Sequence, residues 1–169
     1  MKKVLGLLVL LAGCGGEEAP APGAPWTGLA AGLRGVTDAQ AWRIAGDDML
    51  PPRPGEKPKP RGDYLTYRES GGPVALTSSQ RKDLIRLLGD PKVVGDGVHP
   101  CMPSPGIKVR FDRPPAEPVL VLLCFECHEL FVYEGAEQRE HKGFDHGVSE
   151  LAAVMKKIFP SDPVIQSLK

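Results

Sequence analysis

The stretch Val119–Tyr133, VLVLLCFECHELFVY, constrains this chain more than any other. It is the longest apolar run outside the N-terminus, and its β-branched and aromatic content favours strand over helix. Alternation places Val119, Val121, Leu123 and Phe125 on one face and Leu120, Leu122 and Cys124 on the other. Both faces are apolar, so the strand must be covered from both sides. Glu126, His128 and Glu129 break the run before Leu130–Tyr133 resumes it. The pattern predicts two strands with a turn or bulge at the cysteines.

The flanking sequence supplies a partner. Gly106–Asp112 alternates cleanly, with Ile107, Val109 and Phe111 inward and Lys108 and Arg110 outward, and two prolines in Arg113–Glu117 make a loop returning into Val119. Placing Asp112 opposite Pro118 across that loop puts Cys127 opposite Pro103, with Cys101 just beyond it.

Helix signals are clear at two places. Thr77 can cap a helix with Gln80 three residues on, Leu84, Ile85, Leu87 and Leu88 form its apolar stripe, and Gly89-Asp90-Pro91 ends it. Leu151, Val154, Met155 and Ile158 recur at helical spacing in Gly147–Phe159, and Asp162-Pro163-Val164-Ile165 begins a short terminal turn of helix. Thr37–Ile44 reads as a strand, with a helix capped by Thr37 or Asp38 as the alternative. Asp63–Arg68 reads as another strand, and Gly71-Gly72 and Gly143–Gly147 read as turns. The expected fold is α+β: a single mixed, largely antiparallel sheet with a central hairpin and two or three helices packed on it.

Met1-Lys2-Lys3 followed by the apolar run Val4–Leu11 and then Leu11-Ala12-Gly13-Cys14 is an export signal, too short to span a membrane as a helix. The segment resembles the lipobox of bacterial lipoproteins. The resemblance implies cleavage before Cys14, diacylation of its thiol and attachment to a membrane of the cell envelope. Gly15 and Gly16 lack the aspartate that retains some lipoproteins at the inner membrane, so the outer membrane is the expected location. Residues 1–13 are thus a signal peptide, 14–25 a lipidated cysteine with a Gly-, Pro- and Ala-rich tether, and 26–169 one domain with a proline-rich surface loop at 51–62.

Loss of Lys2 and Lys3 with the signal leaves 19 basic against 21 acidic residues, a formal charge of −2. With no basic cluster interleaved with aromatics, nucleic acid is not an expected partner. The expected partners are the membrane, through the N-terminal lipid, and an unidentified protein or small molecule. About 155 residues suffice for one domain with its own core.

With Cys14 lipidated, Cys101, Cys124 and Cys127 remain. An odd set in an exported protein means one disulfide plus a free thiol, or a shared metal or cofactor. In extended backbone Cys124 and Cys127 lie roughly 10 Å apart, too far to bridge. The hairpin register favours Cys101 with Cys127, and Cys124 is the alternative partner. Closing a loop of roughly 26 residues is worth about 3 kcal/mol in the entropic account.

Cys124-Phe-Glu-Cys127-His128 also matches the attachment sequence of c-type haem, in which two thioethers hold the porphyrin and the histidine ligates iron. Zinc is a further reading, with His99, Cys101, Cys124, Cys127, His128, His141 and His146 as the available ligand types. The strand-like setting counts against haem, and no second Cys-X-X-Cys unit supports zinc, so no cofactor is the primary expectation. Glu126, Glu129 and Glu134 border strands as single charges do on solvated edges, and no nucleophile or phosphate-binding motif accompanies them. The sequence favours a binding or structural module over an enzyme, with a metal- or haem-binding redox protein built on Cys124, Cys127 and His128 as the alternative.

Cys101-Met102-Pro103 with Gly106–Phe111, then Leu122–Cys127, then Phe159-Pro160 and Ile165–Leu168 resemble exported bacterial proteins of unassigned activity that share a Leu-Cys-Phe-X-Cys segment. The resemblance covers about the last 95 residues when the helix from Leu76 is included. In those proteins the position of His128 is often another residue, which also counts against haem.

Overall fold

In the computed structural model, which describes residues 25–45 and 64–169, the Val119–Tyr133 run forms two adjacent strands joined by a tight turn. In chain order the elements are α1 (Leu29–Gly32), β1 (Asp38–Ala45), β2 (Arg68–Ala75), α2 (Ser78–Gly89), β3 (Ile107–Arg113), β4 (Ala116–Cys124), β5 (Glu129–Glu134), β6 (Glu137–Gly143), α3 (Val148–Ile158) and α4 (Pro163–Gln166). Among the described residues they build one sheet in the order β2-β1-β3-β4-β5-β6, every neighbouring pair antiparallel. The β3–β4 hairpin occupies its centre, as the sequence led us to expect, and the fold is α+β.

The hairpin register is the one inferred from the sequence. Val109 faces Val121, Phe111 faces Val119 and Ile107 faces Leu123, with an irregularity only as the chain turns at Arg113. The period-2 alternation of β3 and β4 then sends Val109, Phe111, Val119, Val121 and Leu123 into the main core. There they meet Leu84, Leu87 and Leu88 of α2 and Leu151, Val154, Met155 and Ile158 of α3. Helix α2 begins with the complete capping box: Thr77 Oγ1 accepts from the Gln80 N–H and the Gln80 side chain accepts from the Thr77 N–H.

The opposite face carries a second apolar layer of Trp42, Ile44, Leu122, Phe131 and Tyr133, with Tyr64, Leu65, Tyr67 and Leu120 packed against it. Leu122 is 0 % exposed although it points away from the helices. A strand apolar on both faces is therefore buried on both.

The structure corrects two readings and adds one strand. Residues Tyr64–Thr66 form a turn of 3-10 helix rather than a strand, and the strand begins at Arg68. Gly71-Gly72, read as a turn, lies within that strand. Two causes converge: β2 is an edge strand, where Pro73 is tolerated, and Gly72 lies so close to β1 that a Cβ would come within 2.7 Å of the Ala41 carbonyl oxygen. Strand β6 has no apolar alternation to announce it, being EQREHKG on the other edge, where charge blunts unwanted pairing. The signal segment, the tether up to residue 24 and the proline-rich 51–62 stretch lie outside the described residues. Among those described, no helix is long and apolar enough to cross a membrane.

Among the described residues two charged side chains, Arg113 and Glu129, are taken into the interior. Arg113 is 2 % exposed, donates from Nε to the Glu117 carbonyl at 2.8 Å and pairs with Glu134, which Arg139 also engages. Burial pushes the Glu134 carboxyl up, but hydrogen bonds from Arg113 and Arg139, with their charges, outweigh it and hold the group below the usual carboxylate range.

Leu122→Asp tests the doubly buried strand. An unpaired carboxylate in the second apolar layer should cost several kcal/mol, comparable with the roughly 5–15 kcal/mol that holds such a domain together. Circular dichroism should show loss of the folded state, and a cooperative melt close to wild type would refute burial on that face.

Candidate functional site

The segment 95–106 crosses the end of the sheet and ties itself to three strands in turn. Gly95 exchanges backbone hydrogen bonds with Gly143 at the end of β6. The His99 N–H donates to Glu129 Oε1 at the start of β5 at 2.7 Å. The Ser104 N–H meets Cys124 Sγ at the end of β4 at 3.3 Å, and the Gly106 N–H donates to the Leu123 carbonyl as the chain enters β3. Gly143 makes the first crossing possible, because a Cβ there would fall 1.7 Å from the Gly97 carbonyl oxygen.

Cys101 in this segment is bonded to Cys127 in the β4–β5 turn, with Cα atoms 5.9 Å apart. That is an ordinary separation for a disulfide, and it is the pairing favoured by the hairpin register. Cys124 is a free, fully buried thiol. The two residues of the bridge are unequally exposed: Cys127 is 4 % exposed, whereas Cys101 lies in the exposed part of the segment.

Two carboxylates organise the histidines around the bridge. Asp145, in the 3-10 turn Asp145–Gly147, meets His99 Nε2 with Oδ2 at 2.7 Å and His128 Nδ1 with Oδ1 at 2.9 Å. Glu129, 0 % exposed, meets His141 Nε2 with Oε2 at 2.9 Å while its other oxygen takes the His99 N–H. The His141 ring stacks on Phe131 with centroids 4.3 Å apart. His128 holds a left-handed backbone, φ 53°, which closes the β4–β5 turn and lets its carbonyl accept from the Phe144 N–H at 2.8 Å.

The arrangement engages most of the residues that the Cys-X-X-Cys-His cofactor readings would use. With the bridge formed, the Cys127 and Cys101 sulfurs are bonded to each other. His99 and His128 turn to Asp145, His141 turns to Glu129, and His146 is exposed. Among the described residues no three His, Cys, Asp or Glu side chains are placed to hold a metal ion. Cys14 lies outside the described residues. The sequence offers the histidines as zinc ligands, and His128 also as a haem ligand, but gives no sign of Asp145, which is 46 residues from His99 and 17 from His128.

Electrostatics follow the contacts. Hydrogen bonds from His128 and then His99 hold the Asp145 carboxyl below its ordinary 3.8. Burial, then the nearby Cys124 and Glu129, push the Tyr64 phenol above its ordinary 10.0. No family model, no curated protein and no solved structure matches this chain.

The bridge and the histidine contribute to stability in a definite order. Cys101→Ser should cost on the order of 3 kcal/mol, the loop-closure value for this separation, and His128→Ala under about 1 kcal/mol, since its bond to Asp145 is solvent-exposed. Thermal melts of the two variants give the order, and a larger loss for His128→Ala would show that the histidine, not the bridge, holds the turn. Asp145 carries an acid dependence of defined sign. Its folded-state pKa is depressed, so its small stabilising contribution is complete above the ordinary 3.8 and is lost as pH falls below that value. Asp145→Asn should therefore flatten part of the decline in melting temperature below pH 4, and an unchanged acid limb would contradict the contact.

Proposed function

We propose that this chain is a lipid-anchored protein of the bacterial cell envelope whose domain serves as a binding or structural module for a protein or small-molecule partner. The observation that carries the reading is the Cys101–Cys127 disulfide. Disulfides form and persist outside the reducing cytosol, and an export signal ending in Leu11-Ala12-Gly13-Cys14 supplies a route there. Lipidation of Cys14 leaves the other three cysteines as the one bridge and one buried thiol that the fold accommodates. The outer membrane is the proposed location, on the absence of aspartate after Cys14.

The module reading over a haem or zinc protein is supported by the engagement of Cys101 with Cys127 and of His99, His128 and His141 with carboxylates. The sheet-end segment gives such a module its recognition surface. It is irregular backbone held on a rigid scaffold, the usual placement of binding residues, and it exposes Val98 and Met102 beside the bridge.

Cys14→Ser tests the anchor. The wild-type chain should partition into the detergent phase and the variant should remain unprocessed or enter the aqueous phase; equal partitioning would refute lipidation. Membrane fractionation tests the location, and recovery with inner-membrane vesicles would exclude the outer membrane.

A further inference from the structure

The disulfide sits in a closed ring of contacts that a purely mechanical staple does not require. Cys101 is bonded to Cys127. Cys127 precedes His128, whose Nδ1 meets one oxygen of Asp145; the other oxygen meets His99 Nε2. The Cys101 N–H returns to the His99 carbonyl at 2.8 Å, closing the ring through a tight turn at Pro100. Each half-cystine thus has an imidazole one or two residues away, and one carboxylate fixes both rings.

Imidazoles near a cysteine favour its thiolate, and a thiolate of lowered pKa leaves a disulfide more readily. The two half-cystines also differ in exposure as residues, with Cys101 on the exposed segment and Cys127 buried. Exposed disulfides are the labile and catalytic ones, whereas structural ones are shielded. The segment further displays two large apolar side chains on either side of Cys101, Val98 at 49 % and Met102 at 77 % exposed. No cofactor is needed for chemistry at such a site.

We infer that Cys101–Cys127 is a thiol–disulfide exchange site, taking the thiol of a cysteine-containing polypeptide as its substrate. The incoming thiolate attacks Cys101 Sγ. A sulfur–sulfur bond forms there as the bond to Cys127 breaks, and the electron pair leaves on Cys127 Sγ, which takes up the proton that the incoming thiol gave up. A second substrate thiol then attacks the mixed disulfide. The substrate departs as a disulfide, oxidised by two electrons, and Cys101 and Cys127 are left as thiols. His128, the residue after Cys127, stabilises the departing thiolate, and Asp145 is a positioning residue for both rings. Met102 and Val98 give an extended apolar peptide a surface beside the sulfur under attack. Cys124 takes no part in these two steps, being buried with its sulfur against the Ser104 N–H. The inference does not rest on the lipid anchor, whose test is partitioning.

The test uses the full chain in detergent at pH 7 with two thiols, glutathione and a short cysteine peptide with apolar flanks, quenched in acid and read by mass spectrometry. A mixed disulfide on Cys101 and not on Cys127 is expected, followed by full reduction in millimolar thiol without loss of the folded circular-dichroism signal. The peptide should react several-fold faster than glutathione, and equal rates would overturn the polypeptide assignment. A bridge that stays oxidised in millimolar thiol until the chain is unfolded would overturn exchange altogether. His128→Ala should slow the first step about three- to tenfold through its effect on the leaving thiolate. Asp145→Asn should raise the thiolate pKa of the reduced cysteines, read by ultraviolet absorbance. Melts of both variants separate this from instability, and a wild-type rate in folded His128→Ala would overturn the role of the imidazole.

Discussion

Burial of β4 on both faces is the constraint from which the rest of this structure follows. A strand with Val119, Val121 and Leu123 on one side and Leu122 on the other cannot be left half-solvated, since each large side chain gains roughly 1.5–3 kcal/mol from full burial. Helices α2 and α3 satisfy one face and the aromatic layer around Trp42, Tyr64, Phe131 and Tyr133 satisfies the other. With both faces occupied, polar chemistry is confined to the ends and edges of the sheet. Arg113 with Glu134 occupies one end of the β3–β4 hairpin, and the bridge with its histidines and carboxylates occupies the other.

What the sequence disclosed and what it hid divide along the same physical line. Elements made by apolar periodicity were legible: the β4 and β5 strands, the register of β3 on β4, the capped helix from Ser78 and the C-terminal helix. The register then delivered the disulfide, because counting residues across an antiparallel pair is arithmetic once one pair is placed. Edge strands were not legible. Strand β6 is stabilised by backbone pairing to β5 and by charges facing water, and β2 is carried by Gly-Gly-Pro, a sequence that reads as a turn until a neighbouring strand is known to need the close approach.

The polar cluster was hidden for a further reason. Nothing in the spacing links Glu129 to the backbone of His99, 30 residues earlier, or Asp145 to two histidines on separate loops. Those contacts exist only because the 95–106 segment crosses the strand ends. The pentapeptide at Cys124–His128 shows the converse. Its spacing suits a cofactor in isolation, but a sulfur brought from residue 101 claims Cys127 and a carboxylate brought from residue 145 claims His128.

The crossing segment also sets how this chain can change in length. Its fastenings at Gly95, His99, Ser104 and Gly106 fall at strand ends whose spacing, about 4.8 Å from one strand to the next, is set by backbone hydrogen bonding, and that at Cys101 falls in the β4–β5 turn. One residue added between any two of them would put every later fastening out of step, much as a link added to a timing chain displaces every tooth after it. The tip between β5 and β6 at Gly135-Ala136 carries no such sequence of fastenings. Variation in length among descendants of this fold belongs at that tip, while the span from Gly95 to Gly106 keeps its count.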